Sequence, residues 1–184
     1  MQLFVNICIL TLGLLVGSTA AFADQDDKQF NSPPQSLEDY HRAIRLDPDN
    51  AELYRRRGIA RKKLGQFNQA LVDFSRAIQL DPRDGRSYTE RGQVFSKLGQ
   101  FVAAIKDYDR ALRLDPDNAG LFANRGAAFK KLRNYRRAIE DYNQAIQLAP
   151  NYARAYNYRG IAYKNLGRYQ RAIEDYDRAV RLAP

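Results

Sequence analysis

From residue 51 onward, apolar and small residues return in step every 34 positions, with polar residues between them. In 67–80, Ala70, Phe74, Ala77 and Leu80 recur at intervals of three and four, which places them on one stripe of a helix. Aligned on the period, the chain divides into units 51–84, 85–118, 119–152 and 153–184, the last stopping at its proline. With positions numbered 1 to 34 in each unit, position 4 is Tyr54, Tyr88, Phe122 and Tyr156. Position 17 is Phe67, Phe101, Tyr135 and Tyr169, and position 24 is Phe74, Tyr108, Tyr142 and Tyr176. Each unit is expected to form two amphipathic helices, at about positions 1–14 and 17–30.

The small residues keep the same step. Position 8 is Gly58, Gly92, Gly126 and Gly160; Ala70, Ala104, Ala138 and Ala172 hold position 20; Ala77, Ala111, Ala145 and Ala179 hold position 27. They let helix backbones approach, and the aromatics fill what remains. Gly65, Gly99 and Gly167 stand where the first helix should end in a left-handed residue. The third unit has Arg133-Asn134 there, and Asn134 is expected to take the left-handed conformation in a slightly altered turn. Pro48, Pro82, Pro116, Pro150 and Pro184 stop the second helices, and Asp-Pro-Asp-Asn and its variants supply turn and N-cap chemistry for the next.

This order of aromatic, Gly, aromatic, Ala, aromatic, Ala and Pro resembles the tetratricopeptide repeat (TPR) family. The resemblance implies an all-α fold, an α-solenoid of stacked antiparallel helix pairs (the TPR superhelix). It also implies that first helices line a concave groove and second helices form the outer wall. A half repeat, 36–50, precedes the full ones, with Tyr40, Ala43, Leu46 and Pro48 in register.

Residues 1–23 stand apart. Ile7 to Val16 is almost wholly apolar and leads into small residues at Ala21 and Ala23, the pattern of a signal peptide cleaved after Ala23. An uncleaved anchor is the alternative, although the run is short for a membrane span. Residues 24–35 are polar and proline-broken, a flexible linker, and 36–184 is the solenoid. The only cysteine, Cys8, lies inside the apolar run, so the exported chain would carry no thiol chemistry. The localisation expected is periplasmic or secreted.

Arg57, Arg91, Arg125 and Arg159 hold position 7, and Asp73, Asp107, Asp141 and Asp175 hold position 23. A pair in every unit points to a brace within each helical hairpin, of small stability value if exposed. His41, the only histidine, is expected to be a surface residue. No Gly-rich phosphate loop and no Cys/His metal spacing is present, so no cofactor, metal or catalytic residue is expected.

The net charge of +9 and pI near 9.7 favour acidic partners. On the first helices, inner positions follow from the resemblance as about 2, 5, 6, 9, 12 and 13. They yield candidate groove residues Arg55, Lys62 and Lys63; Arg86 and Lys97; Asn124, Lys130 and Lys131; and Asn157, Tyr158 and Lys164. Lysine recurs at position 12 or 13 in every unit, either as a binding ladder or as helix-end charge facing the dipole. Tyr158 is the one aromatic at an inner position. The family's carboxylate clamp for chaperone tails does not fit: Ile59 stands where Asn is needed, and Glu90 would repel a carboxylate.

The function these features point to is an exported, non-enzymatic scaffold presenting a basic groove to an acidic peptide or protein. The alternative is an envelope-associated structural protein held to anionic lipid or polymer by net charge. Membrane contact is expected only through the signal or surface charge, and nucleic acid is not expected of an exported chain. The terminal repeats lack caps, with Ile173 and Val180 expected to be partly exposed, which suggests self-association through the ends.

Overall fold

The computed structural model of the protein describes residues 36–182. The expected signal and linker lie outside the described residues, as do Ala183 and Pro184. A single helix, α1 (Leu37–Leu46), is followed by four helical hairpins: α2 (Ala51–Lys63) with α3 (Phe67–Leu80), α4 (Gly85–Lys97) with α5 (Phe101–Leu114), α6 (Ala119–Lys131) with α7 (Tyr135–Leu148), and α8 (Ala153–Asn165) with α9 (Tyr169–Leu182). Among the described residues all regular structure is helical, and each helix packs on the next in chain order. This is an all-α solenoid.

Local chemistry sets the helix boundaries. Ser36 opens α1 with a capping box: its hydroxyl accepts from the Asp39 N–H at 3.1 Å, and the Asp39 carboxylate accepts from the Ser36 N–H at 3.0 Å. Asn50, Asp84 and Asn118 cap α2, α4 and α6 through side-chain oxygens. The fourth unit departs from this expectation. Tyr152 stands at the N-cap of α8 and makes no side-chain cap bond. It packs instead against the cluster of Ala123, Ala145 and Ala155.

The turn inside each hairpin is uniform. Gly65, Gly99 and Gly167 have φ of 74°, 77° and 72°. In the third unit Arg133 itself takes the left-handed conformation, at φ 60°, while Asn134 sits at φ −83° and caps α7. The expectation for Asn134 was misplaced by one residue, and the turn is not altered. Its bonds match those of its neighbour: Arg133 N to Lys130 O at 2.9 Å and Asn134 N to Phe129 O at 2.9 Å, against Gly99 N to Ser96 O at 3.2 Å and Gln100 N to Phe95 O at 2.8 Å. The hydrogen-bonded frame fixes which residue must be left-handed, whatever its side chain.

Each hairpin closes on a contact that only glycine allows. A Cβ on Gly58, Gly92, Gly126 or Gly160 would lie 2.7–2.9 Å from the ring of Phe74, Tyr108, Tyr142 or Tyr176 in the paired helix. Beside it stands the Arg–Asp brace. Arg91 donates to both Asp107 oxygens at 2.8 Å, and Arg57, Arg125 and Arg159 grip Asp73, Asp141 and Asp175 the same way. These carboxylates are buried, at 1–5% exposure, so the braces are not the exposed pairs whose value would be small.

The same arginines also join neighbouring units. A third N–H reaches position 25 of the preceding unit: Arg91 to Ser75 at 3.1 Å, Arg125 to Asp109 at 2.6 Å, and Arg159 to Asn143 at 2.7 Å. At the first joint position 25 is His41. Arg61 takes over there, 2.8 Å from Asp73 and 3.2 Å from the His41 ring nitrogen. His41 is therefore a half-buried joint residue and not a bystander on the surface. At the other end of the described stack, Ile173 and Val180 are 53% and 74% exposed. Ile139 and Leu112 hold the same positions in earlier units and are buried at 8%.

Candidate partner-binding groove

Consecutive first helices touch: α2 meets α4, α4 meets α6, and α6 meets α8. Among the described residues no two second helices do. A stack in which one row of helices is in mutual contact and the other is splayed must curve toward the first row. The first helices thus line the inner side. Small residues permit that approach, for Ser87, Ala123, Ala128, Ala155 and Ala162 are all buried along this row.

The candidate residues fall into two groups. In the first two units Arg55 and Lys62 are already engaged by carboxylates. Arg55 is held by Glu52 at 2.9 Å and lies 3.4 Å from Asp84. Lys62 forms an ion pair with Glu90 of the next unit and donates to Gln93 at 2.9 Å. Lys97 is exposed, its ammonium 5.9 Å from the centre of the Phe67 ring. Lys63 and Arg86 are exposed. A concavity of about 500 Å³ opens between the start of α4 and the α5–α6 turn. Arg55, Arg83 and Arg86 line it together with Asp84, Glu90 and Asp115, so its charges are mixed.

The third and fourth units bring Asn124, Lys130 and Tyr158 into half-buried positions, with Lys131, Asn157 and Lys164 exposed. The Lys130 ammonium lies 4.3 Å from the centre of the Tyr158 ring, a cation–π contact. The Tyr158 ring in turn lies 6.0 Å from that of Tyr142, tilted by 53°. Burial and then neighbouring Lys131 hold the Lys130 ammonium below the usual lysine range. Burial likewise pushes the Tyr142 hydroxyl up.

Two features of this face escape a reading by single positions. One is the Lys62–Glu90 pair, which spans a joint; its signal is a lysine at position 12 followed by a glutamate at position 6 of the next unit. The other is Tyr142, a framework residue whose buried hydroxyl has no hydrogen-bond partner. Among the described residues no helix is long and apolar enough to cross a membrane, and no group of His, Cys, Asp or Glu is placed to hold a metal ion.

A curved stack of helical hairpins with a continuous inner face defines a protein-interaction scaffold of the solenoid class. The chain belongs to the tetratricopeptide repeat family: one repeat profile matches residues 85–118, 119–152 and 153–184, and a second matches 29–87. No curated protein sequence matches it. Among solved structures it is similar to a crystal structure of MamA, at 25% identity and a TM-score of 0.76 over 79% of this chain and 85% of that one. A second MamA crystal structure is 23% identical, with a TM-score of 0.76 over 94% of this chain and 90% of the other. MamA 41-end from Desulfovibrio magneticus RS-1 is 20% identical, with a TM-score of 0.77 over 90% and 93%. The last two likenesses bear on the fold alone.

Proposed function

We propose that the protein is an exported scaffold whose inner face binds an acidic peptide or protein segment, without catalysis. The observation that carries this reading is the lysine at the end of every first helix, on the row that lines the inner curve. Helix ends attract lysine for their own dipole. That accounts for charge at the ends but not for the uneven neutralisation along the row. The carboxylates that answer inner-face cations all belong to the first two units: Glu90 engages Lys62, and Glu52 and Asp84 engage Arg55. The later inner face keeps its positive charge, and a segment rich in Asp or Glu is its complement.

Charge reversal tests the groove. Lys97→Glu, Lys130→Glu, Lys131→Glu and Lys164→Glu together should abolish retention of a partner from a cell-envelope fraction. Retention by the unmodified protein should weaken steeply with added salt. Equal retention by both proteins would move the reading to adsorption by net charge. Export is tested separately by N-terminal sequencing of the protein recovered from its cells. A start at Asp24 is expected, and an intact Met1 on a cytoplasmic protein would remove that part of the reading.

A further inference from the structure

Three register positions meet at every joint of the inner face: position 12 of one unit, position 24 of the same unit, and position 6 of the next. The first joint brings together Lys62, Phe74 and Glu90; the second, Ser96, Tyr108 and Asn124; the third, Lys130, Tyr142 and Tyr158. Contacts link two of the three residues at the first and second joints and all three at the third. Lys62 pairs with Glu90, the Ser96 and Tyr108 hydroxyls are 3.3 Å apart, and Lys130 and Tyr142 both lie against the Tyr158 ring.

The first two joints are internally satisfied. In the first, the lysine has its carboxylate from within the chain. In the second, the tyrosine hydroxyl has its partner in Ser96. The third inherits the lysine of the first and the tyrosine of the second, and the answering group of neither. Tyr158 stands where Glu90 stood, and Lys130 where Ser96 stood. What remains is a half-buried ammonium on an aromatic face and a fully buried hydroxyl without a partner. Lys131 lies beside the ammonium and Arg154 near the hydroxyl, both positive, and the one carboxylate near the hydroxyl, Asp141, is already held by Arg125.

We propose that the joint between the third and fourth units is a carboxylate subsite, which takes an Asp or Glu side chain of the bound segment between Lys130 and the Tyr142 hydroxyl. The first joint displays the same interaction within the chain, with Glu90 playing the part of the ligand. Tyr158 closes the site in the unbound protein, its ring against both the Tyr142 ring and the ammonium, until the carboxylate draws Lys130 away and the ring turns aside. The site deepens the reading of the inner face as a binder of acidic segments and rests on it. It differs in position from the clamp excluded above, because its donors stand at positions 12 and 24.

The test is binding of a fluorescently labelled peptide of alternating Glu and Gly to the full chain, followed by anisotropy. Lys130→Met should weaken binding by about tenfold and Tyr142→Phe by several-fold, since charge-assisted contacts are the strong ones. Lys62→Met removes the same charge from the same register. It should change affinity by less than about twofold, because that lysine is already occupied by Glu90. Equal weakening by the Lys130 and Lys62 variants would overturn the subsite while leaving the basic groove standing. No binding of the peptide to the unmodified chain would overturn both, as would exclusive binding to phosphatidylglycerol vesicles. Folding is controlled independently. Burial disfavours the Lys130 charge, so Lys130→Met should not lower Tm. In the unmodified protein the Lys130 ammonium resonance should titrate at higher pH once peptide is added; an unmoved titration would also sink the subsite.

Discussion

Arg133 is the residue most at odds with its backbone. A non-glycine residue in the left-handed region costs about 1–2 kcal/mol, and at the same position the other three units use glycine. The turn bonds are intact, so the hydrogen-bonded frame holds Arg133 in this conformation and does not relieve it. Arg133→Gly is therefore expected to stabilise the protein by about 1 kcal/mol, reduced by the greater freedom of glycine in the unfolded chain. Urea denaturation should show a higher midpoint at an unchanged slope. A midpoint that falls would mean that the Arg133 side chain contributes something its exposed position does not suggest. Tyr152 makes the opposite exchange, giving up a cap bond for apolar contact with Ala123, Ala145 and Ala155. Period and composition do not disclose either choice. Which residue of a two-residue turn bears positive φ depends on the hydrogen-bond frame. Whether an N-cap residue caps or packs depends on what the neighbouring unit offers it.

At the scale of the helical hairpin, two kinds of contact hold each unit together, and both were legible because they repeat. Glycine at position 8 faces the ring at position 24, and arginine at position 7 faces aspartate at position 23, in all four units. The contacts between units were not legible, because their acceptors change from joint to joint: His41, Ser75, Asp109 and Asn143 share a position but no chemistry. For the same reason the lysine ladder read as uniform in the sequence, whereas Glu90 engages Lys62 within the chain. The distinction has an energetic consequence. Asp107 is 5% exposed, and Asp107→Ala leaves the part-buried Arg91 without its carboxylate, at an expected cost of about 3 kcal/mol. Asp109 is 39% exposed, and Asp109→Asn should cost less than about 1 kcal/mol. Chemical denaturation of the two variants side by side measures the contrast. Equal losses would mean that the joints and not the hairpins carry the braces' stability.

The described residues form a one-dimensional stack, and its stability should be distributed as one. Among the described residues each hairpin touches only its neighbours, so a helix covered on both sides opens only with them, while a helix covered on one side opens alone. The burial pattern marks the difference: α1 buries only Tyr40 and Ile44, and α9 only Ala172 and Asp175, whereas α5 buries Ala104, Asp107, Tyr108, Ala111 and Leu112. Native-state hydrogen exchange should therefore be slowest in α4 through α7 and fastest in α1 and α9, falling off from the middle outward. The groove follows the same gradient, because Lys130 and Tyr142 lie on the central helices α6 and α7, while Tyr158 and Lys164 lie on α8, nearer the end. A partner engaging both groups should slow exchange in α8 and α9 more than in α4, since the outer helices have more freedom to lose. Uniform protection of all nine described helices in the unbound protein would instead show that the solenoid opens in a single step. The joints formed by the arginines would then be strong enough to override the nearest-neighbour order of the stack.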